Sequence, residues 1–186
     1  MGIMIALPCH GGIVNEKTTM SLFNLGKLLV RNNIPHGLLT QANSSLITHG
    51  RSKCANFFIN NTDHEYLFFL DSDIGFDPED VLKLLSHNEP IVSGTYPMKT
   101  IPIRYCVDVL EPEERRGNLL KVGGNGMGFV MIHRSVFTDI AQKFPYLKYI
   151  PSTKDSNYPP TEAEMNNSYH YFAEEKIDDS FASEDK

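Results

Sequence analysis

Apolar runs alternate with segments of helical periodicity along most of the chain. The near-continuous apolar stretch from Ile3 to Pro8 predicts a strand buried on both faces. Leucines recur at helical spacing between Thr18 and Arg31, which predicts a helix. The alternation continues with strands predicted over 37–42, 66–70, 90–98 and 128–133 and helices over 50–60, from 78 onward and over 135–144. This order predicts an α/β domain with a mixed, mostly parallel sheet flanked by helices.

The segment from Lys148 to Lys186 has a different composition. It is rich in Pro, Asn, Ser, Tyr and acidic residues and shows little periodicity, so we expect an irregular tail or a loop over a site. The length of 186 residues suits one domain. We therefore expect a single domain over 1–186, with a ligand-binding half at 1–100 and a second half at 101–186.

Charge and cysteine content narrow the function classes. The net charge of -6 argues against nonspecific electrostatic binding to nucleic acid or to an anionic membrane. The three cysteines are far apart and form no CxxC pair, which indicates a reducing compartment. No apolar run approaches the roughly 20 residues of a membrane span. We expect a cytoplasmic protein without an integral membrane segment; oligomeric state leaves no signal in the sequence.

Five carboxylates follow the apolar strand YLFFL in the stretch YLFFLDSDIGFDPED. Asp77, with Pro78 and two further acids after it, is typical of a helix start, so helix initiation explains three of the five. Asp71 and Asp73 remain. In extended geometry their side chains point to the same side, and two oxygen ligands at the end of a strand suit Mg²⁺ or Mn²⁺.

Asp71 and Asp73 admit other interpretations. They can serve as turn residues only. A calcium loop of the EF-hand type fails because Phe76 stands where glycine is needed and Leu82 where the bidentate Glu belongs. Nucleotide fingerprints are absent from the sequence: it has no GxxxxGK[ST], and GGNGMG does not space its glycines as GxGxxG.

An apolar strand, Asp-x-Asp and a capped helix resemble the DxD region of glycosyltransferases with the GT-A fold. The resemblance is strongest over NSSLITHGRSKCANFFINNTDHEYLFFLDSDIGF, which is similar to small bacterial, phage and viral members. GGNGMGFVMIHRSVF resembles the glycine-rich turn, strand and helix start beside the acceptor site of these enzymes, and SFASED resembles their (S)ED motif. The resemblance implies a GT-A domain, Rossmann-like and typical of nucleotide-diphospho-sugar transferases. It also implies that 1–100 is the nucleotide-sugar-binding half and 101–186 the acceptor-binding half.

The resemblance also implies a donor site. The residues that would contact the nucleotide sugar are Pro8, Cys9, His10, Ser45, Arg51, Asp71, Ser72 and Asp73. A solvated helix position is the alternative for Arg51. Asp71 and Asp73 would ligate Mn²⁺ or Mg²⁺, with His170 as a third ligand.

On the acceptor side, the resemblance implies that Gly124, Asn125 and Gly126 border the sugar. A tight turn is the alternative explanation for the glycines. Asp185, with Glu184 beside it, matches the catalytic base, and a solvated acidic tail is the alternative. Members of the family continue beyond this motif into a helix, so we expect the natural chain to continue as well.

These expectations combine into a function. The expected activity is transfer of a sugar from a nucleotide-sugar donor to a hydroxyl of a glycan or other acceptor, with inversion. The resemblance implies that the donor is a UDP-sugar. A non-catalytic nucleotide-sugar or glycan-binding module is the first alternative. A sugar nucleotidyltransferase is the second, although PCHGGIVNEK lacks the arginine of that class.

Overall fold

The computed structural model describes residues 1–42, 44–153 and 159–173, together with the backbone of 175–177 and 180–182. The helices are α1 (Glu16–Arg31), α2 (Ile47–Asn61), α3 (Pro78–His87), α4 (Arg134–Lys143) and α5 (Glu162–Asn166). The strands are β1 (Ile3–Cys9), β2 (His36–Ala42), β3 (Tyr66–Leu70), β4 (Ile91–Ser93), β5 (Val107–Val109), β6 (Arg115–Arg116), β7 (Leu119–Leu120), β8 (Val122–Asn125), β9 (Phe129–His133), β10 (Lys148–Tyr149), β11 (Ser168–Tyr169), β12 (Glu175–Ile177) and β13 (Ser180–Ala182).

A five-stranded sheet in the order β2-β1-β3-β9-β4 forms the centre of the fold. β1 pairs in parallel with both β2 and β3, whereas β9 runs antiparallel between β3 and β4. Four strands therefore end at one edge of the sheet, and β9 begins there. The prediction of a mixed, mostly parallel sheet is confirmed.

Helices cover both faces of this sheet. On one face, α1 and α3 bury Leu25, Leu29 and Val81 against the side chains of β1 and β3. On the other, α2 and α4 bury Phe58 and Phe137. Because β1 and β3 are buried on both faces, their sequences are continuous apolar runs and do not alternate between apolar and polar residues. Across the described residues, no helix combines the length and apolar character needed to cross a membrane.

Capping side chains set the starts of α1 and α3. Asp77 accepts a hydrogen bond from the Glu79 amide at 3.0 Å, as its sequence context predicts. Asn15 caps α1 in the same way through the Lys17 amide. That helix consequently begins two residues before the predicted Thr18.

Two predicted elements differ in the structure. The strand expected over 90–98 is only β4, because the chain leaves the sheet after Gly94. The tail is more regular than its composition suggests over 159–173. There Thr161 and Glu164 form a reciprocal capping box that starts α5, a signature (TEAE) that the sequence prediction did not use.

Arg134 caps the C-terminal end of α2. Its guanidinium donates to the carbonyls of Phe58, Ile59, Thr62 and His64 and lies 4.4 Å from the Phe58 ring. We expect Arg134→Met to lower the free energy of unfolding by about 2–4 kcal/mol, because several carbonyls lose their donor together. Urea denaturation measures this.

Arg115→Met is the control for that prediction, since Arg115 is exposed and pairs with exposed Glu113. We expect the control to change the free energy of unfolding by less than about 1 kcal/mol. Equal effects in the two variants would contradict the capping role of Arg134.

Candidate functional site

The two acids lie at the carboxyl end of β3, at the edge where four strands of the sheet end. The Asp71 amide donates to the Gly128 carbonyl at 2.9 Å, and the Ile74 amide donates to the Asp71 carbonyl at 3.3 Å. Ser72 and Asp73 are therefore in a turn. The expected extended geometry is wrong here, because this turn closes immediately after the last sheet residue.

Arg51 and Asp71 form an ion pair behind the turn. Arg51 Nη2 lies 2.9 Å from Asp71 Oδ1, and the Arg51 side chain is only 3% exposed whereas that of Asp71 is 33% exposed. Arg51 stands in the first half of α2, so the helix positions a buried cation against the carboxylate. Arg51 thus contacts the first of the two acids and orients it.

Asp73 has a different partner. Its Oδ2 accepts from Nζ of Lys99, which belongs to the loop after β4. The Lys99 side chain is 82% exposed and that of Asp73 is 47% exposed. The hydrogen bond to Asp73 raises the pKa of Lys99. The negative charge of each acid is therefore balanced by a basic side chain of the protein.

The loop after β1 fixes the turn from the other side. The Asn15 amide donates to the Ser72 carbonyl at 2.8 Å. Ser21 Oγ donates to the Phe76 carbonyl at 2.7 Å and accepts from the Phe76 amide at 3.0 Å. The acidic turn is thus attached to α1 at two points, which limits its freedom to move.

The other donor-side candidates differ in how deeply their side chains are buried. Pro8 and Cys9 are buried inside β1, and burial raises the pKa of the Cys9 thiol. His10 begins the turn after β1 and is exposed, and Ser45 is exposed between β2 and α2. Of these four, His10 and Ser45 are therefore the side chains accessible to a ligand.

The glycine-rich turn before β9 packs directly against the acids. A Cβ atom on Gly128 would lie 2.6 Å from Asp71 Oδ2 and 2.7 Å from the Tyr96 hydroxyl, so only glycine fits. A Cβ on Gly126 would meet the same hydroxyl at 2.4 Å and Cys106 Sγ at 2.6 Å. These two glycines permit close packing of this segment against Asp71, Tyr96 and Cys106.

Gly124 and Asn125 line a cavity of about 1140 Å³. The cavity lies between β9, α4 and the strand pair β5 and β8; neither acid of the β3 turn is part of its lining. Asn125 Oδ1 accepts from Thr95 Oγ1 at 3.2 Å, while Asn125 Nδ2 is buried without a hydrogen-bond partner in the described structure. That amide nitrogen is a donor suited to a ligand hydroxyl.

His170 packs against other aromatic rings. Its ring stacks on Tyr149 with centroids 4.0 Å apart, and the His49 ring lies 6.1 Å away. Within the described ranges, no group of three His, Cys, Asp or Glu side chains is placed to hold a metal ion. The structure therefore does not assemble Asp71, Asp73 and His170 as a three-ligand set.

Burial lowers the pKa of His170, and burial together with the charges of Lys53 and His170 lowers the pKa of His49. Since both folded-state values lie below the unfolded value of about 6.5, folding favours the neutral rings. Their contribution to stability is complete above that pH and is lost as the pH falls below it.

We expect His170→Phe, which keeps an aromatic ring against Tyr149, to lose less stability than the wild type between about pH 7.5 and about pH 5.5. Urea denaturation at the two pH values measures the difference. An identical acid-induced loss in both proteins would contradict a His170 ring that folding keeps neutral.

Asp185 and Glu184 lie outside the described residues. The hairpin of β12 and β13 precedes them and pairs Glu175 with Ala182. Upstream of the hairpin, the Phe172 amide donates to Ser52 Oγ at 3.3 Å, one residue from Arg51 in sequence. The segment before the hairpin therefore reaches the first half of α2, which carries Arg51.

Sequence reasoning missed Lys99 and Tyr96. Tyr96 accepts a hydrogen bond from the Gly128 amide at 3.0 Å and so supports the turn over Asp71. Both residues follow β4, a strand parallel to β3. The signal that could have found them is the rule that loops after parallel strands meet at one edge of the sheet.

No protein-family model and no curated protein matches the sequence. Among solved structures, the chain is similar to A197 from STIV, with a TM-score of 0.51 and 24% identity over 75% of this chain and 69% of that one. It also aligns with 4-diphosphocytidyl-2C-methyl-D-erythritol synthase from Anaerococcus prevotii, with a TM-score of 0.45 and 9% identity over 81% and 80% of the two chains. The sheet order and the first likeness show the fold: this is an α/β domain with the GT-A fold, a mixed sheet flanked by helices.

Proposed function

We propose that the protein is a metal-dependent glycosyltransferase. It transfers a sugar from a nucleotide-sugar donor, a UDP-sugar by preference, to a hydroxyl of a glycan or other acceptor, with inversion. The observation that carries this proposal is the pair Asp71 and Asp73 at the ligand-binding edge of a GT-A sheet. Turn formation alone does not account for a buried arginine aimed at the first acid.

The acids fit a hard divalent cation that keeps most of its ligand positions for water and phosphate oxygens. Asp71 and Asp73 would hold Mn²⁺ or Mg²⁺, and both are partly exposed at the site. When bound, such an ion stabilises the negative charge on the departing nucleoside diphosphate.

The residues of the chain have separate tasks in this proposal. Arg51 holds Asp71 in a fixed orientation, because a buried guanidinium loses little freedom when it donates to a carboxylate. The turn at Gly128 packs against the same carboxylate. Asn125 Nδ2 is available to a hydroxyl of the acceptor or of the sugar.

Inversion requires a base on the face of the sugar opposite the leaving group. Asp185 is proposed for this task, with Glu184 as its neighbour in the SED motif. The carboxylate would take the proton of the acceptor hydroxyl while that oxygen attacks the anomeric carbon. We expect Asp185→Asn to bind the donor normally and to lose transfer.

A thermal-shift panel tests the proposal. UDP, GDP, CMP and dTDP are each added with and without Mn²⁺, because a ligand that binds the native state raises Tm. We expect a rise in Tm that needs both a nucleotide and Mn²⁺. Well-folded protein that shows no shift with any pair would contradict a donor site.

Transfer assays with the nucleotide sugar identified in this way separate catalysis from binding. Transfer that is lost in Asp185→Asn supports the enzyme. Donor binding without transfer in the wild type, tested against a panel of glycan acceptors, would support a non-catalytic binding module instead. Release of pyrophosphate from a nucleoside triphosphate and a sugar phosphate would indicate a nucleotidyltransferase.

A further inference from the structure

The two acids of the turn are held by cations of very different character. Arg51 is almost completely buried in α2, so its contact with Asp71 is a fixed part of the fold. Lys99 is 82% exposed and contacts an acid that is itself half exposed. An exposed ion pair of this kind is weak and exchanges readily with other ions. One cation of the site is permanent, and the other is replaceable.

Backbone hydrogen bonds hold the loop that carries Lys99, although the Lys99 side chain is exposed. The Met98 amide donates to the Arg104 carbonyl at 2.7 Å, and Pro97 and Tyr105 form a β-bridge. At the base of this loop, the Cys106 amide donates to the Tyr96 carbonyl at 3.2 Å. The Lys99 side chain can therefore move while its point of attachment stays beside the acids.

We infer that Lys99 is a ligand for the donor's phosphates, and that Asp73 holds it beside the site until the donor binds. This inference rests on the proposed function and names a residue of the same site. Lys99 and a divalent cation are alternative partners for the Asp73 carboxylate. Lys99 leaves that carboxylate when a divalent cation binds there, and its ammonium group then faces the incoming diphosphate.

The chemistry of the groups supports this exchange. An ammonium group is a compact charge on a flexible stem, which suits a residue that changes partners, whereas the arginine fork suits a fixed one. Ammonium groups are also common ligands of phosphate. Without donor, Lys99 neutralises Asp73 and weakens its affinity for divalent cations. With donor, the same charge adds to phosphate binding, so the donor and the cation bind better together than separately.

Lys99→Met tests the inference because it keeps the length of the side chain and removes its charge. Isothermal titration with Mn²⁺ alone, and then with UDP at saturating Mn²⁺, measures the two affinities. We expect Mn²⁺ alone to bind about threefold more tightly, which is the size of an exposed ion pair. We expect UDP to bind at least about tenfold more weakly, because a charged hydrogen bond to phosphate is lost.

Two further variants complete the test. Lys99→Arg keeps the charge and should retain most of the UDP affinity. Lys83→Met removes the lysine of another exposed Lys–Asp pair, in which Lys83 Nζ lies 2.7 Å from Asp80 on α3. This control should leave both affinities unchanged.

The outcomes separate this inference from the proposed function. If the wild type binds UDP with Mn²⁺ and Lys99→Met binds both as the wild type does, the role of Lys99 is overturned and the donor site stands. Tighter Mn²⁺ binding with unchanged UDP affinity also overturns the phosphate role. A wild type that binds neither UDP nor another nucleotide with Mn²⁺ overturns both proposals.

Discussion

Asp73→Asn is expected to abolish the Mn²⁺-dependent rise in Tm with nucleotide. The substitution keeps the shape of the side chain and removes the charge of the more exposed acid in the turn. Loss of a direct ligand should weaken metal-dependent nucleotide binding by at least about 100-fold, since outer-shell changes already cost about 10–100-fold. Isothermal titration of UDP at a fixed Mn²⁺ concentration measures the effect.

The fold should survive this change. Asp73 is half exposed and its ion-pair partner within the described residues is an exposed lysine, so the free energy of unfolding should change by less than about 1 kcal/mol. Asp80→Asn is the matched control: Asp80 belongs to the same acidic stretch but stands on α3, where it pairs with Lys83. Unchanged Mn²⁺ dependence in Asp73→Asn would refute the metal assignment.

Gly128→Ala is expected to damage the donor site from the opposite side. The added methyl group would lie 2.6 Å from Asp71 Oδ2 and 2.7 Å from both Ile74 Cδ1 and the Tyr96 hydroxyl. All three groups cannot move away without changing the orientation of Asp71. We expect a loss of about 1–3 kcal/mol in the free energy of unfolding, as for other overpacked sites. Nucleotide affinity should fall at least about tenfold with it.

Gly26→Ala separates this local effect from a general response to glycine replacement. Gly26 lies within α1, and a Cβ there would meet no atom within 4 Å. Alanine is the better helix former, so this variant should be more stable by about 0.5–1 kcal/mol and bind nucleotide normally. Nucleotide affinity that is preserved in Gly128→Ala would show that the contact with Asp71 is not needed.

The parts of the fold that the sequence predicted are those encoded by neighbouring residues. Asp77 and Pro78 start α3 as expected, because capping is decided within one helical turn. The apolar run of β3 was equally clear, because a strand buried on both faces needs no partner to be recognised. The position of the two acids at the end of that strand followed from the same local pattern.

The ion-pair partners of the two acids are harder to predict from the sequence. Arg51 was predicted near the nucleotide, and the structure places it behind Asp71, twenty positions away in sequence. Lys99 lies still further along the chain, and its contact with Asp73 depends on how the loop after β4 folds back. Such contacts are decided by the order of strands in the sheet, which one sequence does not specify.

The chain leaves the central sheet after Gly94 and re-enters it at Phe129, on the neighbouring strand. The Gly94 amide donates to the Phe129 carbonyl at 3.0 Å, so the two ends of this excursion meet directly. A segment whose ends are joined in this way can be lengthened or exchanged at a small entropic cost, because the sheet closes without it. Under the proposed function, changes in this segment would alter the acceptor side while β1, α2 and β3 stay the same. Lys99 belongs to the same segment, so under the role inferred for it such changes would also alter donor binding.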